Sequence, residues 1–357
     1  MTIAAFGGTS VLTLRRLLGA GFIVGLVTTG LAVILLQPAQ ATSTRGNTTQ
    51  VTNCSGGGPG SLPNAVATAP AGATITFATA CTGADPIILT SGTVVIAQDL
   101  TIWGPGSNQI VVDGANLNTV FQIDANDRVT ISGITIQHGA SPSNPDGAGG
   151  VNNFGTLTIA NCIVADNTAT YGGGGINNFG RLAVINTNVS NNAALYGAGL
   201  ANEGTAIVIY SSFSGNDAAN GGGAIANSDA PVTLAKLTLY NTTVSNNTAD
   251  WGSGIANEGA ATVNDSILSN NVTTGVGGGL FNESNKNGTI LATLNVNDSG
   301  LGSNSATQGG AIFNWNATTN VTSSSFSTNA GAYTAPYLGV FSGGGGTLTV
   351  DSASTFA

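Results

Sequence analysis

The chain has 357 residues, of which 53 are glycine and 39 asparagine but only two are lysine, and its formal net charge at pH 7 is −9. The scarcity of Lys and Glu argues against a helical protein, and 41% hydrophobic residues exclude a disordered one. With 7 Lys and Arg in total, no extensive basic patch is expected. We therefore expect neither nucleic acid nor an anionic membrane surface as a partner.

The N-terminal segment is typical of export. Arg15 and Arg16 precede an uncharged stretch at 17–36, and a small-x-small pattern ends at Ala41. This predicts a signal peptide over 1–41 that is cleaved after Ala41. Because the apolar stretch is long enough to span a bilayer at ~1.5 Å per residue, a retained N-terminal membrane anchor is the alternative. In both cases the rest of the chain is exported, to the medium or to the cell surface, including the outer membrane.

The next segments predict a short lead and a cap. Residues 42–50 are polar and are expected to be a flexible lead, and 51–93 are expected to form an N-terminal cap and the first coil. Within the cap, Ser61 is a suitable N-cap for a short helix that places Leu62 and Val66 on one side. In an exported protein, Cys54 and Cys81 are candidates for a disulfide.

From Ile75 onward, brief apolar runs bounded by Gly, Asp, Asn or Pro predict short strands. They are Ile75–Phe77, Ile87–Leu89, Val94–Ile96, Leu100–Ile102, Ile110–Val112, Val129–Ile131 and Ile134–Ile136. Strands this short, separated by turns, are expected in coils wound around one axis.

A repeat of about 25 residues dominates the segment 94–357. Its anchoring asparagines are Asn153, Asn178, Asn202, Asn227, Asn257, Asn282 and Asn314, and a second series is Asn167, Asn192, Asn216, Asn247, Asn271, Asn304 and Asn329. Units of this length must stack to bury their apolar face. The repeat predicts an all-β, right-handed parallel β-helix solenoid of nine to eleven coils, with a short N-terminal capping helix, in which the asparagine side chains form ladders between coils.

Several motifs resemble known repeats. Gly222–Ile225 and Gly309–Ile312 are Gly-Gly-Ala-Ile, while Phe213–Asn216 and Phe326–Asn329 are Phe-x-x-Asn. Both resemble chlamydial-type polymorphic outer membrane protein repeats, and 60–66, 87–106 and 132–139 resemble bacterial secreted β-helices of the pectin-lyase-like kind. The resemblance implies a right-handed β-helix exposed on or outside the cell, often in adhesion and often without known enzymatic activity.

Catalytic constellations are sparse, so we expect a non-catalytic protein without a cofactor. The polygalacturonase-like segment Asn144–Gly147 is only partial, and the sole histidine, His138, has no Ser or Asp in a triad-like context. The cations Arg45, Arg128, Arg181, Lys236 and Lys286 are expected to occupy different repeat positions. A polysaccharide lyase or glycoside hydrolase is the alternative, since the fold hosts such enzymes.

Two repeat positions are candidates for binding. Tyr171, Tyr196 and Trp251 precede the glycines of their units and either form a platform for sugar rings or cover the turn of the next coil. Glu258 and Glu283 follow an anchoring asparagine and are a weak calcium candidate, against solvated divergence of the two side chains. We expect an extracellular glycan or protein as the partner of a monomeric protein.

Three features have plainer interpretations. Insertions at about 229–236 and 284–291 are either recognition loops or neutral length variation. Cys162 is expected to be a small buried side chain, with a reactive thiol as the alternative, at the position that later units fill with Thr187, Thr243 and Ser266.

Overall fold

The computed structural model describes residues 47–83, 85–143, 147–228, 234–284, 291–331 and 339–357. These residues form a right-handed parallel β-helix of about 11 turns. The predicted fold class is therefore confirmed. The signal or anchor segment 1–41 lies outside the described residues, and within them no helix has the length and apolarity to cross a membrane.

The strands of the described residues form four parallel sheets, which we number in the order in which each coil visits them. Sheet I contains Thr48–Val51, Ala73–Phe77, Leu100–Trp103, Arg128–Ser132, Thr156–Ala160, Arg181–Ile185, Thr205–Ile209, Lys236–Tyr240, Ala260–Asn264, Thr293–Asn297, Thr318–Thr322 and Thr347–Val350. Sheet II contains Ile87–Ile88, Val111–Asp113, Thr135–Gln137, Ile163–Ala165, Asn188–Ser190, Ser212–Ser214, Thr243–Ser245, Ile267–Ser269, Gly300–Gly302, Ser325–Ser327 and Thr355–Phe356.

The other two sheets complete each coil. Sheet III contains Ala140–Ser141, Thr168–Ala169, Ala193–Tyr196, Asp217–Gly221, Thr248–Trp251 and Val272–Val276. Sheet IV contains Val94–Ile96, Phe121–Ile123, Val151–Asn153, Ile176–Asn178, Leu200–Asn202, Ile225–Asn227, Ile255–Asn257, Leu280–Glu283, Ile312–Trp315 and Val340–Gly343. Since coils pair with little change of register, each repeat position becomes a straight column that rises ~4.8 Å per coil.

The N-terminal part contains the predicted helix, at Leu62–Thr68. Ser61 caps it, because the Ser61 Oγ accepts from the backbone N–H of Asn64 at 3.4 Å. Leu62, Ala65 and Val66 are buried in the main core.

One boundary was wrong. Thr48–Val51 is a strand that pairs in parallel with Ala73–Phe77, so residues 48–50 belong to sheet I and not to a flexible lead. The alternation of Thr49 with the fully buried Val51 lets this polar segment join the solenoid. Cys54 and Cys81 form a disulfide across a sequence separation of 27.

Both asparagine series form buried ladders. In the first, which lies at the end of sheet IV, each side-chain Nδ2 donates to the Oδ1 of the next coil at 2.6–2.9 Å, from Asn153 to Asn314. In the second, from Asn167 to Asn329, the corresponding distances are 2.9–3.0 Å. These bonds satisfy amide groups that are removed from water, which explains why asparagine recurs with the repeat.

A third ladder runs through the position of Cys162. The Cys162 N–H donates to the hydroxyl of Thr187, and the Thr242 N–H donates to that of Ser266. The assignment of Thr243 to this column was wrong by one residue, since Thr243 begins the next strand of sheet II. Burial raises the pKa of the Cys162 thiol to about 11, as suits a small side chain packed inside the coil.

Candidate functional site

A groove of about 400 Å³ lies on the outer surface of sheet IV. Tyr171, Tyr196 and Trp251 line it on the side where the strands of sheet IV begin. Glu203 and Glu258 line it where those strands end. The structure thus brings the three predicted aromatic residues and one of the two predicted glutamates into one depression, which we call the outer groove.

The aromatic side of the outer groove is a continuous series of ring contacts. The ring centroids of Tyr171 and Tyr196 are 5.3 Å apart, those of Tyr196 and Trp251 are 6.2 Å apart, and Trp251 packs on Phe281 at 4.9 Å. Tyr171 is 49% exposed, and the Tyr196 hydroxyl accepts from the side-chain amide of Asn220 at 2.9 Å. These contacts fix the rings in place while leaving part of their surface accessible.

The two interpretations of the aromatic residues are therefore compatible. The Trp251 ring lies against the backbone of Gly221, where a Cβ atom would collide with it. Gly221 pairs with Trp251 next to a register shift and belongs to the preceding coil, while Phe281, on which the ring also packs, belongs to the next coil. The ring therefore covers the backbone of the previous coil as well as contacting the next one. One side of this ring is structural, and the partly exposed remainder lines the outer groove.

The acidic side is a column of residues that follow the anchoring asparagines. Column order is verified by Phe154 and Phe179, which occupy the same position in earlier coils and stack at 5.1 Å with an interplanar angle of 6°. Glu258 lines the outer groove, whereas Glu283 is the last residue of its strand and pairs with Trp315. Among the described residues no group of three or more ligand-type side chains is placed to hold a metal ion. The calcium site stays a prediction that rests on column order.

Sequence reasoning missed the floor of the groove. The middle residue of each sheet IV strand points outward, yet Ala201, Ala226 and Ala256 are no more than 8% exposed. In later coils this column changes to Phe281 and Phe313, whose rings stack at 5.6 Å and close the groove at one end. The sequence does show a change from small to large residues just before the anchoring asparagine, and this change could have indicated the floor of the groove and its closed end.

A second depression is larger but more open. It has a volume of about 670 Å³ and lies over the turns between sheets I and II, where Asn161, Asn186, Tyr210 and Asn241 line it. Its lining combines amides, hydroxyls and one exposed tyrosine, without a carboxylate or a cation. We regard the smaller outer groove as the better candidate because it joins several aromatic faces with charged acceptors.

His138 has an acidic partner that the sequence did not reveal. Its Nδ1 lies 2.8 Å from the Asp113 carboxylate, to which the side-chain amide of Gln137 also donates at 2.9 Å. Burial acts to raise the pKa of Asp113, but the hydrogen bonds from Gln137 and His138 outweigh it and the pKa is lowered. In the described part of the chain no Ser, Thr or Cys side chain hydrogen bonds to His138, so no nucleophile completes a triad.

The expectation that no two cations share a repeat position was also wrong. Strand pairing places Arg128, Arg181 and Lys236 in one column of sheet I. The sequence concealed this because the number of residues between sheet IV and sheet I differs from coil to coil. The partial motif at Asn144–Asp146, the cations Arg45 and Lys286, and most of both insertions lie outside the described residues.

The fold defines the class of protein, a right-handed parallel β-helix with an aromatic and acidic groove along its outer surface. Comparison of the chain with protein-family models, with curated proteins and with solved structures gives no match.

Proposed function

We propose that this protein is an exported, non-catalytic β-helix that binds an extended glycan in the outer groove, in a secreted or surface-exposed role such as adhesion. The observation that carries the proposal is the convergence of Tyr171, Tyr196 and Trp251 on one side with Glu203 and Glu258 on the other. Export and a surface role are further supported by the N-terminal sequence and by the resemblance to polymorphic outer membrane protein repeats and pectin-lyase-like proteins.

The chemistry of the groove favours sugar. Aromatic rings pack against the apolar faces of sugar rings, and carboxylates accept strong hydrogen bonds from sugar hydroxyls. The small side chains of Ala201 and Ala226 on the floor leave room for a ligand to approach the sheet. From the coil of Tyr171 to that of Trp251 the column rises by three steps, about 14 Å, which favours a linear chain over a compact molecule.

The arrangement is also preorganised. Trp251 is held between Gly221 and Phe281, and Tyr196 is held by Asn220. Binding therefore immobilises few side chains that were mobile beforehand, and this lowers the entropic cost of association.

The test is binding of glycans on an array, followed by titration of the best ligand against Tyr171→Ala with Tyr196→Ala. Losing two aromatic contacts of about 1 kcal/mol each is expected to weaken binding by roughly tenfold or more. The matched control is Tyr210→Asn, since Tyr210 is equally exposed but lies elsewhere and Asn186 and Asn241 occupy the same column. Equal affinities for the double variant and the control would refute the proposal.

A polysaccharide-active enzyme is the second candidate because two carboxylates line the same groove. Glu203 and Glu258 are two coils apart, about 9.6 Å along the column, which is near the separation of an inverting pair. Both, however, lie on the same side of the groove, whereas an acid and a base must flank the scissile bond. Release of reducing ends from a bound glycan, abolished by Glu203→Gln or Glu258→Gln, would favour this candidate over the binding protein.

A further inference from the structure

A column of cations lies on the outer face of sheet I, on the next sheet after the acidic side of the outer groove. Arg128 pairs with Thr156 and Thr156 with Arg181. Arg181 pairs in turn with Thr205, and Thr205 with Lys236. The cations therefore occupy every second coil, about 9.6 Å apart along the axis, with a threonine hydroxyl between each pair.

These three residues are all the Lys and Arg of the described part of the chain, and all three are exposed. The only ion pair found there joins Asp113 to His138, so none of the three lies within 4 Å of a carboxylate of the described residues. Asp127 precedes Arg128 in the chain and reduces the field at that end. Arg181 and Lys236 are thus the strongest part of what we call the cationic column.

An aromatic surface adjoins the cationic column. Phe154 and Phe179 lie two residues before Thr156 and Arg181, at the corner between sheets IV and I. Their rings stack at 5.1 Å, and Phe154 is 37% exposed. Stacked rings that are exposed at Phe154 and partly buried at Phe179 offer an apolar face to a ligand whose charged group is held by the guanidinium.

We propose that the cationic column binds a linear acidic polysaccharide in which charged and neutral sugars alternate, laid along the solenoid axis. The spacing argues for this ligand. A nucleic acid strand carries a charge every ~3.4 Å, about three times the density of the column, and three cations on a chain of net charge −9 neutralise few phosphates. A sparse polyanion meets each cation once, and its sugar rings reach Phe154 and Phe179.

The test is binding of hyaluronan oligosaccharides, in which acidic and neutral sugars alternate, with polygalacturonate and oligothymidylate as densely charged competitors. The wild-type chain is expected to prefer hyaluronan over both. Replacing Arg128, Arg181 and Lys236 with Gln is expected to weaken binding roughly tenfold or more, from a few-fold per exposed contact, and to flatten its salt dependence. Tighter binding of oligothymidylate or polygalacturonate would overturn the proposal.

Two controls separate a spaced site from general attraction. Arg181→Thr combined with Thr205→Arg keeps composition and net charge but changes the spacing to three coils and one coil. It is expected to lose most of the affinity, and wild-type affinity in this variant would refute the role of the spacing.

The second control changes the net charge away from the column. Asn188→Asp, Thr243→Asp and Ser325→Asp add three negative charges on sheet II, as many charge units as the three Gln substitutions remove from the column. This variant should bind nearly as well as wild type, and a loss equal to that of the Gln variant would also refute the site.

The cationic column and the outer groove are tested separately. Tyr171→Ala with Tyr196→Ala is expected to leave hyaluronan binding unchanged, because those rings lie where sheet III leads into sheet IV, on the side of the groove remote from sheet I. Loss of hyaluronan binding in that variant would place the acidic glycan in the groove and contradict a second site.

Discussion

The buried asparagine ladder makes a quantitative prediction at Asn227. The side-chain amide of Asn227 donates to Asn257 Oδ1 at 2.7 Å, and its Oδ1 accepts from Asn202 at the same distance. The residue is fully buried. Asn227→Ala removes both bonds and leaves the Asn257 Oδ1 without its ladder donor.

The expected cost follows from these contacts. Two lost hydrogen bonds contribute about 1 kcal/mol each, and a buried acceptor left unsatisfied costs a further 1–3 kcal/mol. We expect Asn227→Ala to lower the free energy of unfolding by about 3–5 kcal/mol. The control is Asn320→Ala on sheet I, where the Asn320 amide donates to Asn295 at 3.0 Å in a partly exposed column. Water replaces that bond, so the cost there is expected to stay below about 1 kcal/mol.

Urea denaturation followed by circular dichroism measures both variants. The midpoint should fall much further for Asn227→Ala than for Asn320→Ala, with unchanged slopes. Equal shifts would refute the view that the ladder from Asn153 to Asn314 stabilises the stack of coils through buried amide hydrogen bonds.

Three more predictions concern the cysteines and the acidic partner of the histidine. Replacing Cys54 and Cys81 with Ser should lower the free energy of unfolding by about 3–4 kcal/mol, given the 27-residue separation. Denaturation of the variant, and of wild type with and without reductant, measures this, and a loss below about 1 kcal/mol would contradict stabilisation by the disulfide. Iodoacetamide should label Cys162 only after unfolding, because the thiol is buried and its pKa is about 11; rapid labelling of the folded chain would be inconsistent with this. Since the pKa of Asp113 is lowered from its ordinary value of 3.8, the carboxylate stabilises the fold fully above that pH and loses this contribution as the pH falls through the lowered value. The Tm advantage of wild type over Asp113→Asn should therefore vanish in acid, and an advantage independent of pH would show that ionisation is irrelevant.

Features that recur with the repeat could be predicted from the sequence, whereas contacts that occur only once could not. The period of the asparagines was sufficient for the coil, the ladders and the interior, because each of these follows from one repeated position. The partner of His138 is 25 residues away, and Asp113 occupies the preceding coil without belonging to a recurring motif. Such one-off contacts leave no periodic signal.

The prediction that no two cations share a column on sheet I failed for a related reason. Arg181 lies three residues after Asn178, but Lys236 lies nine residues after Asn227, since an insertion separates their sheets. Only the hydrogen-bonded register aligns the two cations. The aromatic residues were predictable because they are close to the glycines that begin each unit, where no insertion shifts the count.

The most direct test of glycan binding in the outer groove is the fluorescence of Trp251. With Trp103→Phe and Trp315→Phe, Trp251 is the only tryptophan of the chain and it lines the groove. Titration with the best ligand from the array should produce a saturable change in emission with the same Kd as calorimetry, and Tyr171→Ala should weaken both. Calorimetric binding without any change in Trp251 emission would contradict the account, because the ligand would then bind elsewhere on the solenoid.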